Sequence, residues 1–208
     1  YLAIGFGMFA LACFAAYHAF DHVQTRVAIW LDPWSRYTGK GYQVAQSMFA
    51  LGSGGTAGTG LGLGDPTRIP EAKNDFIFAA LGEELGLFGA TAILIAFVLM
   101  IGAGLRTALR TQRPFEKLLA TGLTTILGVQ AFIIIGGVIR VVPLTGITLP
   151  FVSYGGSSLV ANYALLALLI RISDTSARRL GEVPDAPTLT ERWAARRAAR
   201  AEKKATAS

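Results

Sequence analysis

Three carboxylates stand beside or inside apolar sequence, where a charged group is costly and usually has a specific role. Asp75 directly precedes the apolar run Phe-Ile-Phe, and the adjacent Glu83 and Glu84 interrupt the sequence that follows. Asp75 is either a general base at the edge of a membrane or the N-cap of the next helix. Adjacent helical residues project about 100° apart. We therefore expect one glutamate to accept a hydrogen bond from another helix and the other to line a polar cavity, with a structural role favoured over catalysis.

Glycines and basic residues near this aspartate indicate a second kind of chemistry, the binding of an anionic group. Residues 52–64 hold seven glycines in thirteen positions, which predicts irregular backbone rather than helix. Neither of the common glycine-rich nucleotide-binding patterns is present. The segment is therefore either a flexible loop or a cradle of backbone N–H groups for a phosphate.

A second broken segment contains two prolines and three glycines in residues 143–158. Irregular backbone of this kind persists at membrane depth only where it is buried in protein or lines a wet cavity. Arg140 lies just before the segment and is a candidate partner for a phosphate group.

The histidines and the single cysteine indicate neither a metal site nor an internal disulfide. His18 and His22 are four residues apart, a spacing compatible with two metal ligands on one helix face. Two ligands are too few for a site, so we interpret them as interfacial histidines and assign no metal ligand. Cys13 lies inside an apolar run, and one cysteine cannot form an internal disulfide.

The composition is that of a membrane protein. Of the 208 residues, 52% are hydrophobic and 15% charged, and the mean hydropathy is +0.49. Soluble domains carry about 25% charged residues, so a typical cytosolic enzyme is excluded. The net charge of +6 does not indicate nucleic-acid binding, because the charges cluster between long apolar blocks.

Four segments are apolar enough for helices that cross a hydrocarbon core of about 30 Å. They are residues 1–19, 76–105, 118–139 and 157–170. The sequence therefore predicts an all-α polytopic membrane protein with four transmembrane helices. Because the chain is already apolar at Tyr1, which is not a methionine, we expect it to be part of a longer protein.

The distribution of basic residues predicts the orientation, since short cytoplasmic loops are rich in lysine and arginine. The loop between the second and third spans carries one acid, Glu116, and four basic residues: Arg106, Arg110, Arg113 and Lys117. This loop and the basic tail at 175–208 are therefore predicted to be cytoplasmic, and residues 20–75 and 140–154 face outward. Thr188 and Glu191 resemble a capping box that opens a tail helix near anionic lipid headgroups.

The large outer loop, residues 20–75, is too long for a simple connection. Apolar residues recur at helical spacing over residues 23–34, which predicts a helix lying at the membrane interface with Trp30 and Trp34 at headgroup depth. Pro33 limits its length. Residues 42–51 form a second short apolar stretch.

Several runs together resemble one family. They are Gly-Ser-Gly-Gly at 52–55, Gly-Thr-Gly-Leu-Gly at 58–62, Asn-Asp-Phe-Ile-Phe-Ala at 74–79, Gly-Glu-Glu-Leu-Gly-Leu at 82–87 and Pro-Leu-Thr-Gly-Ile-Thr-Leu-Pro-Phe-Val-Ser-Tyr-Gly-Gly-Ser-Ser at 143–158. The chain is similar here to the SEDS family, the FtsW/RodA/SpoVE group of shape, elongation, division and sporulation proteins. The resemblance covers residues 1–174, the predicted membrane domain. Members of the family have ten spans, and these four resemble the seventh to tenth.

The resemblance implies a peptidoglycan glycosyltransferase of the bacterial cytoplasmic membrane that polymerises lipid II at the outer face and releases undecaprenyl diphosphate. The family's essential carboxylate matches Asp75, preceded here by Asn74 where the family usually has threonine. The candidate contacts for the diphosphate or the sugars are Arg26, Lys40, Ser53, Gly54, Arg140, Ser153, Tyr154 and Ser157. The expected partner is a class B penicillin-binding protein, and a divalent cation, Mg²⁺ or Mn²⁺, is a possible cofactor.

Two other functions are compatible with these features. A lipid II flippase or transporter could use Glu83, Glu84 and the broken segment before Ser157 to line a path. A non-enzymatic scaffold that recruits the penicillin-binding protein would need no catalytic acid. Among the branches of the family that the chain resembles, the Leu-Thr-Gly run and the basic tail favour an elongation-type, RodA-like protein of an actinobacterium over a division protein.

Overall fold

The computed structural model describes residues 2–39, 41–65, 69–70 and 72–181. This part of the chain folds into α-helices and contains no β-strand, which confirms the predicted fold class. The six helices are α1 (Leu2–Ala19), α2 (Asp21–Leu31), α3 (Tyr42–Gly54), α4 (Ile77–Arg110), α5 (Pro114–Val138) and α6 (Gly156–Arg179). A 3₁₀ turn at Trp34–Arg36 separates α2 from α3.

Three of the described helices, α4, α5 and α6, are each long and apolar enough to cross a membrane. They correspond to the second, third and fourth predicted spans. The first predicted span corresponds to α1, which meets the same criteria of length and composition only together with α2, as a pair bent by 99°. The predicted boundary at residue 174 falls within α6, which continues to Arg179. The predicted tail helix lies outside the described residues.

The helix predicted over residues 23–34 begins and ends earlier than expected, as α2. Its end at Leu31 has a local cause, because Asp32 Oδ1 accepts hydrogen bonds from the backbone N–H groups of Trp34 (3.0 Å) and Ser35 (3.3 Å). An aspartate that bonds the backbone two or three residues later forms a turn that competes with helix. The buried Pro33 lies inside this turn.

Two apolar clusters hold the bundle together. The first packs α2, α3 and α5 around the start of α4, and its most buried side chains include Phe76, Val138 and Leu149. The second lies between the later parts of α4 and α6 and the first half of α5, and it includes Leu127 and Ile172. Large apolar side chains on the outer faces of the helices are exposed, as expected for a surface in contact with lipid.

The long helix α4 is broken at Gly86, whose φ of 65° and ψ of −166° are not helical. A break leaves backbone N–H and C=O groups without helical partners, which is costly in an apolar environment. The glycine-rich loop supplies those partners through four backbone hydrogen bonds. They run from Thr59 to Glu83 O (2.9 Å), from Gly60 to Glu84 O (3.0 Å), from Leu87 to Gly55 O (3.0 Å) and from Phe88 to Thr56 O (3.2 Å).

This packing corrects two expectations for the glycine-rich segment. Residues 52–54 are helical, since α3 continues to Gly54, so the irregular backbone begins later than predicted. The amides of Thr59 and Gly60 bond the carbonyls of α4, which makes the loop neither a flexible connection nor, at these two amides, a cradle for phosphate. A Cβ atom at Gly54 or Gly58 would collide with the backbone of α4, which explains why glycine is needed there.

The two glutamates contact the same loop. Glu83 Oε1 accepts a hydrogen bond from the backbone N–H of Asp65 (3.4 Å), and the side chains of Glu83 and Glu84 both pack against Gly64. The expectation of a hydrogen bond to one glutamate is met, but the donor belongs to a loop rather than to another helix. This arrangement agrees with the structural role favoured for the pair.

The close approach of the loop to α4 can be tested with two matched substitutions. Gly58 and Gly62 both have positive φ (84° and 73°), but a Cβ at Gly58 would meet α4, whereas a Cβ at Gly62 would meet none of the described residues. Gly62→Ala should cost about 1 kcal/mol through its backbone conformation alone. Gly58→Ala should cost about 3 kcal/mol because the loop must move off the helix break. Thermal unfolding of the full-length protein in detergent measures the difference, and equal melting temperatures would contradict the packing.

Candidate active site

A cavity of about 630 Å³ lies beside Asp75, between α2, α3, the segment before α4 and the segment after α5. Its volume is within the range typical of small-molecule sites, about 300–1,000 Å³. The described residues that line it are His22, Thr25, Arg26, Ile29, Trp30, Gly39, Tyr42, Gln43, Val44, Pro70, Asp75, Gly137, Arg140 and Leu144.

Asp75 is half-buried in the wall of this cavity. The alternative interpretation, that Asp75 is the N-cap of the following helix, is wrong, because the N-cap position of α4 is occupied by Phe76. The Phe76 side chain is 1% exposed and packs in the first apolar cluster. The burial of Phe76 anchors the chain next to Asp75 and leaves the carboxylate at the cavity.

The charged ends of Arg26 and Asp75 converge on the same backbone position. A Cβ built on Gly146 would lie 3.2 Å from Arg26 Nη2 and 3.3 Å from Asp75 Oδ2. Arg26 Nη1 donates a hydrogen bond to Leu144 O (2.6 Å), which fixes the guanidinium over the segment after α5. Gly146 has a φ of 75° and no side chain, so it leaves room for both groups.

The backbone before Asp75 is held by part of the segment 143–158, which is rich in proline and glycine. The Ser153 hydroxyl donates to Asn74 O (2.6 Å) and accepts from the N–H of Leu149 (2.8 Å), and the N–H of Tyr154 donates to Lys73 O (2.9 Å). Ser153 is 2% exposed. Residues 149–154 therefore fix the position of Asp75 through the two residues that precede it.

Arg140 borders the cavity and also joins two helices. Its Nη2 donates to Trp30 O (2.7 Å) and Leu31 O (3.2 Å), the last carbonyls of α2, and the Trp30 indole N–H donates to Arg140 O (2.9 Å). Its Nη1 contacts Met48 Sδ (3.6 Å). Much of its hydrogen-bonding capacity is thus used to hold α2 against the end of α5, which limits the phosphate-binding role predicted for it. Trp30, predicted at headgroup depth, belongs to this contact.

The other predicted contacts among the described residues do not line the cavity. Ser53 donates to Ala50 O (2.9 Å) in the last turn of α3, and Gly54 packs against α4. Ser157 is exposed in the first turn of α6, and the side chain of Tyr154 is exposed. Lys40 lies outside the described residues. The cavity therefore unites three of the predicted residues, Asp75, Arg26 and Arg140.

Several cavity residues were missed by the sequence analysis. His22, Thr25 and Ile29 lie with the predicted Arg26 and Trp30 at a helical spacing that brings them to one face of α2. The polar members of that row were a signal for the missed residues. His18, by contrast, lies on α1, beyond the bend from α2, and its ring packs against Phe14 (centroids 4.5 Å apart). The two histidines are therefore not paired on one helix.

The amino-acid sequence is similar to those of one protein family. The family model for FtsW, RodA and SpoVE, described as "cell cycle protein", matches residues 1–178. A peptidoglycan glycosyltransferase RodA of Mycobacterium tuberculosis is 53% identical over 184 residues, which are 88% of this chain and 39% of the relative. A probable peptidoglycan glycosyltransferase FtsW of Geobacter metallireducens is 43% identical over 155 residues, 74% of this chain and 41% of the relative.

A relative of lower identity and a solved structure are also similar to this chain. The stage V sporulation protein E of Bacillus subtilis is 41% identical over 150 residues, 71% of this chain and 41% of the relative. A solved structure, described as showing structural coordination of polymerization and crosslinking by a peptidoglycan synthase complex, superimposes with a TM-score of 0.68 at 28% identity. The match covers 85% of this chain and 50% of that one. The chain spans about two fifths of the length of the curated relatives it matches.

The support of Asp75 by Ser153 yields a structural prediction. Ser153→Ala leaves the Asn74 carbonyl and the Leu149 N–H without their partner, at a cost of about 1–3 kcal/mol for each buried group. We expect hydrogen exchange of residues 72–76 to accelerate in the full-length protein. Ser157→Ala, an exposed serine of the next helix, is the matched control and should leave exchange unchanged. Equal exchange in the two variants would show that Ser153 does not hold the segment.

Proposed function

The chain belongs to the FtsW/RodA/SpoVE family, and from this premise we propose that the complete protein is a peptidoglycan glycosyltransferase that polymerises lipid II. The observation that carries the proposal is the convergence of Asp75 and Arg26 on Gly146 within an open cavity. The carboxylate can accept a proton from an attacking hydroxyl group. The guanidinium beside it can bind the diphosphate of the second substrate molecule.

In the proposed reaction, the 4-hydroxyl of one lipid II sugar attacks the anomeric carbon of a second lipid II. The new glycosidic C–O bond forms as the bond from the anomeric carbon to the diphosphate oxygen breaks. Asp75 accepts the hydroxyl proton, and undecaprenyl diphosphate leaves with the bonding electron pair. Because a diphosphate is a good leaving group, the second carboxylate that glycosidases use as general acid is not required.

Arg26 is the proposed partner of the diphosphate. A guanidinium presents several N–H donors in a plane and matches phosphate oxygens well. One Arg26 nitrogen is already used by Leu144 O, and the other approaches Gly146 beside Asp75. His22, Tyr42 and Gln43 line the same cavity and are candidate hydrogen-bonding partners for the sugars. Lys40 remains a candidate on sequence grounds.

The steps proposed for this chain use only its own side chains. Among the described residues, no three His, Cys, Asp or Glu side chains come close enough together to hold a metal ion. A divalent cation, Mg²⁺ or Mn²⁺, stays an expectation from the family resemblance, and no step proposed here depends on it.

We propose that the cavity opens to the outer face of the bacterial cytoplasmic membrane and that the basic tail is cytoplasmic. The arginine-rich connection between α4 and α5 supports this orientation. A class B penicillin-binding protein is the proposed partner, because the structural neighbour is described as a complex for polymerization and crosslinking. The 53% identity to RodA proteins, against 43% to FtsW proteins, supports a role in the elongation branch.

The contacts of the intramembrane acids favour the enzyme over a transporter. Glu83 accepts a hydrogen bond from the loop, and the backbone groups freed by the break in α4 are paired with the same loop. The broken segment before Ser157, which also suggested a transport path, is bonded to the backbone of Lys73 and Asn74.

Asp75→Asn tests the proposed base directly. The amide keeps the size of the side chain but cannot accept the hydroxyl proton, so polymerisation of purified lipid II by the full-length protein should fall by about 10²–10⁴-fold. Asp21→Asn, on the exposed first turn of α2, is the matched control. Normal polymerisation by Asp75→Asn would remove this residue from the mechanism, and a scaffold without activity would give no glycan strands with either protein.

Gly146→Ala tests the juxtaposition of the two charged groups. The added methyl group would stand within 3.3 Å of both Asp75 Oδ2 and Arg26 Nη2 and push them from their positions. A displacement of about 1 Å can reduce a reaction rate about 10²-fold. Gly181→Ala is the control, since Gly181 has a similar φ (71°, against 75° at Gly146) but a Cβ there would meet none of the residues that the structure describes. Full glycan synthesis by Gly146→Ala would show that the site does not need this geometry.

A further inference from the structure

A chain of hydrogen bonds leads from α5 to the backbone beside the proposed base. It begins at Gln130, whose side-chain amide donates to the carbonyl oxygen of Thr148 (2.9 Å). The N–H of the same peptide group belongs to Leu149 and donates to the Ser153 hydroxyl (2.8 Å). That hydroxyl donates in turn to Asn74 O (2.6 Å). Three consecutive bonds therefore connect α5 to the residue that precedes the base.

All three bonds of this chain point in the same direction. Each inner group accepts from the group before it and donates to the next, and hydrogen bonds arranged in this way polarise and strengthen one another. The peptide group between Thr148 and Leu149 is the central member, since both its C=O and its N–H are used. Leu149 is 1% exposed and Ser153 is 2% exposed, so bulk water does not compete for these bonds.

Two side chains of α6 hold Thr148 from a second direction. The Thr148 hydroxyl donates to Ser158 Oγ (2.7 Å), and Asn162 Nδ2, one turn further along α6, donates to the same oxygen (3.3 Å). Asn162 is buried, and a buried amide is costly in apolar surroundings unless it is hydrogen-bonded. Thr148 is thus fixed by α5 through its carbonyl group and by α6 through its hydroxyl group.

We propose that Gln130 and Thr148 are positioning residues of the polymerisation reaction, which hold the backbone next to Asp75 through Ser153 and Asn74. This inference rests on the proposed function, in which Asp75 accepts the hydroxyl proton. Neither positioning residue lines the cavity, so we assign neither of them a contact with the substrate. Their effect on the reaction passes through the position of the carboxylate, and small displacements of a reacting group reduce rates strongly.

Gln130→Met tests the first bond of the chain. Methionine keeps the length of the side chain but has no N–H to donate, so the Thr148 carbonyl loses this partner. We expect kcat for lipid II polymerisation by the full-length protein to fall about ten-fold, the effect of one lost hydrogen bond on a reaction barrier. The KM for lipid II should stay unchanged, because no residue of the cavity is altered.

Gln46→Met is the matched control for this variant. Gln46 Nε2 also donates a single described hydrogen bond, to the Tyr37 hydroxyl (3.1 Å), and Gln46 does not line the cavity. The same substitution there removes a similar bond that does not lead to Asp75. We therefore expect kcat and KM of Gln46→Met to equal those of the unchanged protein.

Two variants of Thr148 separate hydrogen bonding from packing. Thr148→Val keeps the shape of the side chain but removes the bond to Ser158, whereas Thr148→Ser keeps the hydroxyl and removes the methyl group that packs beside Gly155. We expect Thr148→Val to lower kcat and Thr148→Ser to retain it. The reverse order would show that packing matters at this position and would overturn the role of the hydroxyl. This pair also tests the chain if Gln130→Met does not fold.

Hydrogen exchange of residues 72–76 in the full-length protein gives a readout that does not depend on activity. Exchange should accelerate in Gln130→Met and stay unchanged in Gln46→Met. A lower kcat with faster exchange and an unchanged KM supports the proposal. Unchanged exchange in Gln130→Met, a raised KM with unchanged kcat, or equal losses in the two variants would overturn it. If the unchanged protein makes no glycan strands, the proposed function fails, and exchange still decides whether Gln130 holds this segment.

Discussion

Backbone polar groups inside an apolar bundle must find partners within the protein, and this constraint shapes the part of the chain that carries Asp75. Gly86 interrupts α4, and residues 55–60 meet both sides of the break with hydrogen bonds. The loop can come this close because Gly54 and Gly58 lack side chains. The glycine-rich loop therefore provides the hydrogen-bond partners of the backbone groups that the break in α4 leaves without helical partners.

The same constraint fixes the candidate base. Residues 149–154 are irregular, and their polar groups bond Lys73 and Asn74 through the Ser153 hydroxyl and the Tyr154 amide. Phe76 is buried on the other side of Asp75. A carboxylate held between a buried aromatic residue and a bonded backbone has little freedom to move, and pre-organisation of this kind favours catalysis.

Some of the site was readable before the fold was known. Asp75, Arg26 and Arg140 were identified from charge beside apolar sequence and from the resemblance, and they do share one cavity. Ser153 was identified as a substrate contact, but its hydroxyl bonds backbone instead. His22, Tyr42 and Gln43 were missed because their relevance depends on how α2 and α3 pack around the end of α5, which no local pattern specifies.

The membrane class, the positions of the apolar helices and the family could be read from the chain before it folds, because apolar length and specific motifs are local properties. The packed fold sets the bend between α1 and α2, the hydrogen bonds between the glycine-rich loop and α4, and the approach of Arg26 and Asp75 to Gly146. These features join residues far apart in the chain. Their geometry follows from which buried groups must be paired, a requirement that is met only when the helices have come together.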